Sequence, residues 1–322
     1  MNRNWKIKAK FDGAVMKRKN QGVNPLVSRI LELRGIEGPA AQRAFLTAAS
    51  LEQLSDPWLL PDMDQAVERL LAAVEEQQQI VVYGDYDVDG MTATAILLKA
   101  LRHFGAKADY YIPHRLHEGY GLNKEALAGL KLRGADLVVT VDCGISCAEE
   151  AEYAKEIGLT LLITDHHQAP EVLPDTPVLM NPVLMENPGP KKGLAGAGVA
   201  FLLSWCLAES IGAAEEITDL VELAAIGTVA DVVPLTGDNR LLVMEGLKRL
   251  NKSPSCGLGA LIGVSGLEEK EISTGHIAFA LSPRLNAAGR MDRPGEGLEL
   301  LLAEDPAQAA LQAEKLDGIN RL

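Results

Sequence analysis

Residues 80 to 90 read Ile80-Val81-Val82-Tyr83-Gly84-Asp85-Tyr86-Asp87-Val88-Asp89-Gly90, an apolar β-branched stretch, a glycine, then acids at three alternate positions. The pattern predicts a strand over 79–84, an acidic loop and a helix over 91–104. In an open α/β sheet the carboxyl ends of strands face the ligand, so these acids stand where such folds bind. Three carboxylates this close repel one another unless a cation holds them. Working outward, Leu137-Val138-Val139-Thr140-Val141 leads into Asp142, and Leu161-Leu162-Ile163-Thr164 leads into Asp165-His166-His167. One strand ending in an acid is common. Three in succession, the last adding tandem histidines, form a constellation that reads as a metal-dependent hydrolase.

The same residues admit other readings. Asp85 to Gly90 matches the first half of an EF-hand loop, but its twelfth position is Ile96 rather than Glu and a strand precedes it. A strand-end acid also serves as an N-cap, and Asp89 is ambiguous between capping the helix at Met91 and facing a metal. Cys143 and Cys147, with His166 and His167, have loose zinc spacing, yet no second cysteine pair exists; buried apolar cysteines are the simpler reading. Gly193-Leu194-Ala195-Gly196-Ala197-Gly198 lacks the dinucleotide fingerprint, and close packing of the helix over 198–211 explains it.

Flanking the acids, apolar and helical patterns alternate: helix 64–76, strand 79–84, helix 91–104, strand 108–112, helix 123–133, strand 136–141, helix 147–157, strand 159–164 and strand 177–180. Strands separated by helices pair in parallel through right-handed crossovers. The fold class is therefore α/β, a doubly wound, mostly parallel sheet. A small helical N-terminal preface over residues 1–60, with helices at 25–35 and 40–48, precedes it, and a helix-rich C-terminal part follows the Pro- and Gly-rich loop 181–193. The chain has 322 residues, 47% of them hydrophobic, enough for a large core. No apolar run reaches membrane-spanning length, the N-terminus is basic without the apolar block of a secretory signal, and four cysteines suit a reducing compartment, so a cytoplasmic protein is expected. A net charge of −13 argues against broad adhesion to nucleic acid. It leaves room for a local basic track, and Arg3, Lys6, Lys8, Lys10, Lys17, Arg18 and Lys19 crowd the first twenty residues as a solvated arm.

Two later segments add candidates. In Leu223-Ala224-Ala225-Ile226-Gly227-Thr228-Val229-Ala230-Asp231-Val232-Val233-Pro234-Leu235 an apolar helix delivers Asp231 into a nonpolar turn, where a lone carboxylate needs a partner; a metal is the natural one. Ser282-Pro283-Arg284-Leu285-Asn286-Ala287-Ala288-Gly289-Arg290-Met291 sets two arginines and an asparagine among small residues, which suits phosphate binding. Pairing of the arginines with surface acids is the alternative.

Together with Asp56-Pro57-Trp58-Leu59-Leu60-Pro61-Asp62-Met63, Pro113-His114-Arg115 and Gly119-Tyr120-Gly121-Leu122, these motifs resemble those of the DHH phosphoesterase superfamily. Within it the chain is similar to the bacterial RecJ family of single-stranded-DNA-specific 5′-to-3′ exonucleases, over most of its length. The resemblance implies a DHH phosphoesterase domain, here residues 61–300, and a hydrolase that uses two Mn²⁺ or Mg²⁺ ions on DNA phosphodiesters in repair and recombination. Carried over by residue, it makes Asp85, Asp87, Asp142, His166 and Asp231 the metal ligands. Asp142 is expected to bridge two ions and act in catalysis with His167, which in extended geometry lies on the other side of the chain from His166. Arg115, Arg290 and Asn286 are expected to hold DNA phosphate, and Asp89 and Asp165 are left without an assigned role. Single-stranded DNA is the implied partner, alongside DNA-repair or single-strand-binding proteins, with no membrane. The family continues into a DHHA1 domain and an oligonucleotide-binding barrel; here residues 301–322 read as the start of a connecting helix. Two alternatives remain: a DHH-family oligonucleotide or cyclic-dinucleotide phosphodiesterase, whose usual histidine four residues before the first Asp is replaced by Val81, and a non-catalytic DHH-like DNA-binding scaffold.

Overall fold

The computed structural model of the chain describes residues 23–47, 50–114, 118–119, 121–287, 289 and 295–321. The basic arm, Arg115 and Arg290 lie outside the described residues. Five strands, β1 (Gln79–Tyr83), β2 (Lys107–Tyr111), β3 (Leu137–Thr140), β4 (Thr160–Thr164) and β5 (Val178–Met180), form one sheet of order β2-β1-β3-β4-β5. Every neighbouring pair is parallel, as the alternation of helices and strands requires.

Both faces of the sheet are covered, and side-chain alternation along each strand sorts residues between two cores. Ile80, Val82, Leu137, Val139, Leu162, Val178 and Met180 belong to the larger core. That core also takes in α3 (Met63–Glu75), α4 (Val88–His103) and α7 (Gly196–Ser210). Val81, Tyr83, Val138, Leu161 and Ile163 point the other way, into a smaller core with α5 (Lys124–Leu132) and α6 (Ala148–Glu156). Helix α4 is buried along nearly all its length, between the sheet and the pair formed by α7 and α8 (Val221–Ala230). Its apolar residues run all round the helix rather than along one stripe, as a central helix needs.

The helix-rich C-terminal part continues with α9 (Gly237–Lys252), α10 (Cys256–Val264), α11 (Thr274–His276), a π-turn (Ile277–Leu281), α12 (Ser282–Leu285), α13 (Glu296–Leu302) and α14 (Pro306–Asn320). Ala309, Ala313 and Leu316 of α14 are buried in the larger core, so this last helix is part of the compact unit spanning residues 50–322. A separate small unit lies within residues 1–49. There α1 (Pro25–Leu33) is capped by Asn24, whose side chain accepts from Leu26 N at 2.9 Å. Gln42 of α2 (Pro39–Leu46) donates to the carbonyls of Ser28 and Ile36, both at 3.2 Å. Among the described residues no helix is long and apolar enough to cross a membrane.

One buried ion pair ties three distant segments together. Lys191 and Asp238, each 1% exposed, approach to 3.5 Å. Asp238 accepts from Ser55 N at 3.1 Å and from Ser55 Oγ at 2.5 Å, and Lys191 Nζ donates to Ser55 O at 3.1 Å. Replacing Asp238 by Ala strands a buried ammonium, which typically costs about 3–5 kcal/mol. Urea denaturation of Asp238→Ala is expected to show that loss; an unchanged midpoint would mean the cluster is energetically idle.

Candidate metal centre

The strand order reverses between β1 and β3, and their carboxyl ends open there as neighbours. Asp85 follows β1, Asp142 follows β3, and Asp165 to His167 follow β4, so the three strand-end motifs meet at one edge. Asp87 is the N-cap of α4, its Oδ1 accepting from Gly90 N at 2.9 Å. The helix therefore starts at Val88, three residues before the position expected from sequence, and Asp87, not Asp89, caps it. Gly90 is required by close approach, because a Cβ there would stand 2.6 Å from the Asp85 carbonyl oxygen. Asp231 is delivered by the C-terminus of α8, its N–H donating to Gly227 O at 2.9 Å. Asp142 (φ +62°) and Val232 (φ +62°) both hold left-handed backbone, a conformation disfavoured for a β-branched residue above all. These two lie at the acids; the other described non-glycine residues with positive φ, Asp62 and Gln77, lie elsewhere.

Three groups of possible ligand atoms result, each within 4.8 Å: Asp85, Asp87 and Asp142; Asp142, His166 and His167; Asp89, His166 and Asp231. Asp142 and His166 each belong to two groups. His166 Nε2 lies 3.0 Å from Asp142 Oδ1, 3.6 Å from Asp89 Oδ2 and 3.7 Å from Asp231 Oδ2. Although buried among these oxygens, it makes no hydrogen bond. Burial and the neighbouring His167 push the His166 pKa down to about 4, so at neutral pH the ring is uncharged and Nε2 offers a lone pair. Hard oxygens with one neutral imidazole fit Mn²⁺ or Mg²⁺ better than a thiolate-seeking ion. No cysteine joins any of the three groups, and Cys143 and Cys147 are buried in the smaller core, so the zinc alternative finds no support among the described residues.

Two acids are otherwise engaged. Asp165 accepts from the backbone N–H of Ile145 at 2.9 Å, His166 at 2.7 Å and His167 at 3.1 Å, and from His167 Nδ1 at 2.7 Å. It is absent from the three groups and orients His167 instead. Burial alone would raise its pKa, but the His167 and backbone hydrogen bonds outweigh burial and hold it below the usual carboxylate value. The Asp165 hydrogen bond in turn raises that of His167, which is 43% exposed. Asp89 accepts from Gly196 N at 2.7 Å and Ala197 N at 2.9 Å.

The remaining sequence candidates divide. Asn286 lines an open cleft of about 310 Å³ together with Asp87, Asp89 and Asp231. Arg284, from the same segment, turns away: its Nε donates to Asp317 at 2.9 Å and its guanidinium to Ala280 O at 2.8 Å. It serves the packing of α12 on α14 rather than phosphate. Sequence reasoning missed Glu118, which accepts from Tyr111 OH at 2.5 Å, His114 N at 2.7 Å and Asn123 Nδ2 at 3.2 Å, and so ties the end of β2 to the start of α5.

Residues 79–228 match the model of the DHH family, N-terminal domain. The chain is 40% identical over 302 residues to the single-stranded-DNA-specific exonuclease RecJ of Bacillus subtilis, a match that covers 93% of this chain and 37% of that protein. Against RecJ of Escherichia coli it is 37% identical over 311 residues, or 92% and 53% of the two chains. A crystal structure of exonuclease RecJ bound to manganese superposes with a TM-score of 0.77 at 39% identity, covering 83% of this chain and 67% of that one. The chain belongs to the DHH family, on its RecJ branch. RecJ of Thermus thermophilus in complex with Mn²⁺ superposes with a TM-score of 0.76 at 35% identity over 92% of this chain and 43% of that one. The chain thus spans between 37% and 53% of the length of the Bacillus and Escherichia RecJ proteins.

The electrostatics of this DHH site set its pH behaviour without metal. Burial, then neighbouring acids, raise Asp142 well above the usual carboxylate value; burial and Asp231 bring Asp89 up to about 8, and burial and Asp87 bring Asp231 up to about 6. An acid whose folded pKa is raised favours the fold while protonated, a contribution lost as pH climbs through the folded value; raised His167 behaves likewise. Above pH 6.5, where the lowered values of His166 and Asp165 no longer act, all these contributions run one way. Melting in EDTA is therefore expected to show falling stability from pH 6.5 to beyond 8, and a divalent cation is expected to reverse the trend while releasing protons. A flat profile in EDTA would contradict this electrostatic account.

Proposed function

We propose that the chain is the catalytic core of a single-stranded-DNA-specific 5′-to-3′ exonuclease, hydrolysing phosphodiesters with two Mn²⁺ or Mg²⁺ ions in DNA repair and recombination. The observation that carries this reading is the convergence of Asp85, Asp87, Asp142, His166 and Asp231 at the switch point, with His166 Nε2 buried, neutral and without a hydrogen bond. The RecJ relatives are named for this activity, and the solved RecJ structures hold manganese or magnesium. In this reading those five residues would hold the ions, and Asp142, common to two groups of possible ligand atoms, would serve both. When bound, the ions would supply Lewis-acid stabilisation of the phosphoryl oxygens and a water nucleophile at neutral pH. The protein's own residues hold and orient.

Asp165 fixes the His167 ring through Nδ1, so Nε2 is the atom that exchanges a proton with the attacking water or the leaving oxygen. Asn286, at the cleft wall, contacts the strand near the scissile phosphate, and Arg115 and Arg290 pair with backbone phosphates, the terminal 5′ group included. A single strand has the flexible backbone to enter such a cleft, whereas a duplex must first be unpaired. The domain reading places the DHH phosphoesterase domain at 61–300. A cytoplasmic setting, with single-strand-binding or repair proteins as partners, completes the proposal.

Asp142→Ala is expected to abolish Mn²⁺-dependent digestion of end-labelled single-stranded oligonucleotides and to remove both ions from a calorimetric titration. Two unchanged Mn²⁺ sites in that variant would sink the bridging role, and release of mononucleotides from the 3′ end would sink the polarity. Arg290→Ala or Arg115→Ala is expected to weaken binding of single-stranded DNA and to reduce its log–log salt slope by about one per lost phosphate contact, with Tm preserved. Equal slopes in variant and parent would assign these arginines to structure.

A further inference from the structure

The glycine-rich run Gly193 to Gly198 starts α7, and its contacts reach further than that helix. Gly196 N and Ala197 N donate to the two carboxylate oxygens of Asp89 at 2.7 and 2.9 Å. A Cβ on Gly196 would stand 2.5 Å from Asp142 Oδ1 and 2.6 Å from Asp142 Cβ. Gly196 and Ala197 thus touch an acid of the motif after β1 and the acid that follows β3. Gly227 of α8 closes the other side, where a Cβ would lie 2.6 Å from Asp89 Oδ1 and 2.5 Å from Ala197 Cβ.

We infer that Gly196 and Ala197, at the start of α7, are the positioning strap of the metal centre: Asp89 anchors the N-terminus of α7, and Gly196 sets where the Asp142 carboxylate lies. Asp89 is then a positioning residue rather than a ligand, because each of its carboxylate oxygens already accepts a first-turn N–H of α7. The bare edge of Gly196 lets the helix press against Asp142 where any side chain would displace it. The inference rests on the metal-centre reading above.

Three variants of the full chain test it: Gly196→Ala, Asp89→Asn and, as a control in the same run, Gly198→Ala, whose Cβ would meet only side chains near it, Leu194 Cδ2 at 3.1 Å and Leu242 Cδ1 at 3.4 Å among them. Mn²⁺ is titrated calorimetrically into each metal-free protein at one pH, with melting in EDTA and amide exchange alongside. Gly196→Ala and Asp89→Asn are expected to bind Mn²⁺ about 10- to 100-fold more weakly at unchanged stoichiometry. Exchange at the Gly196 and Ala197 amides is expected to accelerate in Asp89→Asn, and Gly198→Ala to keep the parent affinity whatever its Tm. Should Gly196→Ala fail to fold, Asp89→Asn carries the test. Parent-like affinity in both variants, equal weakening in Gly198→Ala, or loss of one ion in Asp89→Asn would overturn the strap while leaving the metal centre standing. A parent that binds no Mn²⁺ would overturn both.

Discussion

Burying like charges side by side is the constraint on which this architecture turns. Asp85, Asp89, Asp142 and Asp165 are each at most 3% exposed, and an unmet buried carboxylate costs several kcal/mol. The chain meets them unequally. Asp165 takes three backbone N–H groups and the His167 ring, and Asp89 takes the N-terminus of α7. Asp142 is treated differently: strained backbone holds it against Gly196, the other acids surround it, and its pKa is driven up. A site that disfavours its own ionised form this strongly is built for a cation to arrive.

The sheet order supplies the convergence. Because β1 lies between β2 and β3, the crossover through α5 must skip over β1, and the gap this leaves at the carboxyl edge is where Asp85 and Asp142 face each other. Helix α4 fills the space behind β1 and is buried along almost all of its length, so Asp87 and Asp89 at its start are fixed by packing along the whole helix. Helices α7 and α8 pack on α4 and bring Gly196 and Asp231 to the same point. Rigid elements, not loops, carry the proposed ligands, which suits a centre that needs its geometry before the ion binds.

Sequence pattern reached the strands and most helices because their periodicity is local: β-branched runs such as Ile80 to Tyr83 have one reading between glycine-punctuated helices. It reached the strand-end acids for the same reason. It did not reach the division of labour among Asp85, Asp87 and Asp89, because alternate spacing predicts a shared face only while the backbone stays extended, and helix α4 begins at Val88. Nor could it show that Arg284 turns away from the cleft, because its partner, Asp317, lies 33 residues away. Gly196 was visible as a packing glycine, but what it packs against, Asp142, is set by tertiary structure alone.

The three acids of the opening run thus illustrate how one repeated residue type takes three physical roles. Asp85 leaves the strand with its carboxylate at the sheet edge. Asp87, in extended backbone, turns one oxygen to the Gly90 amide as a cap and yet remains within ligand distance of Asp85 and Asp142. Asp89, inside the first turn of α4, faces α7 and exchanges water for two amides. The two amides stabilise the Asp89 carboxylate only in part, since burial and Asp231 still bring its pKa up to about 8. They also make the seat of α7 and the layout of the acids a single cooperative element, since moving either one displaces the other.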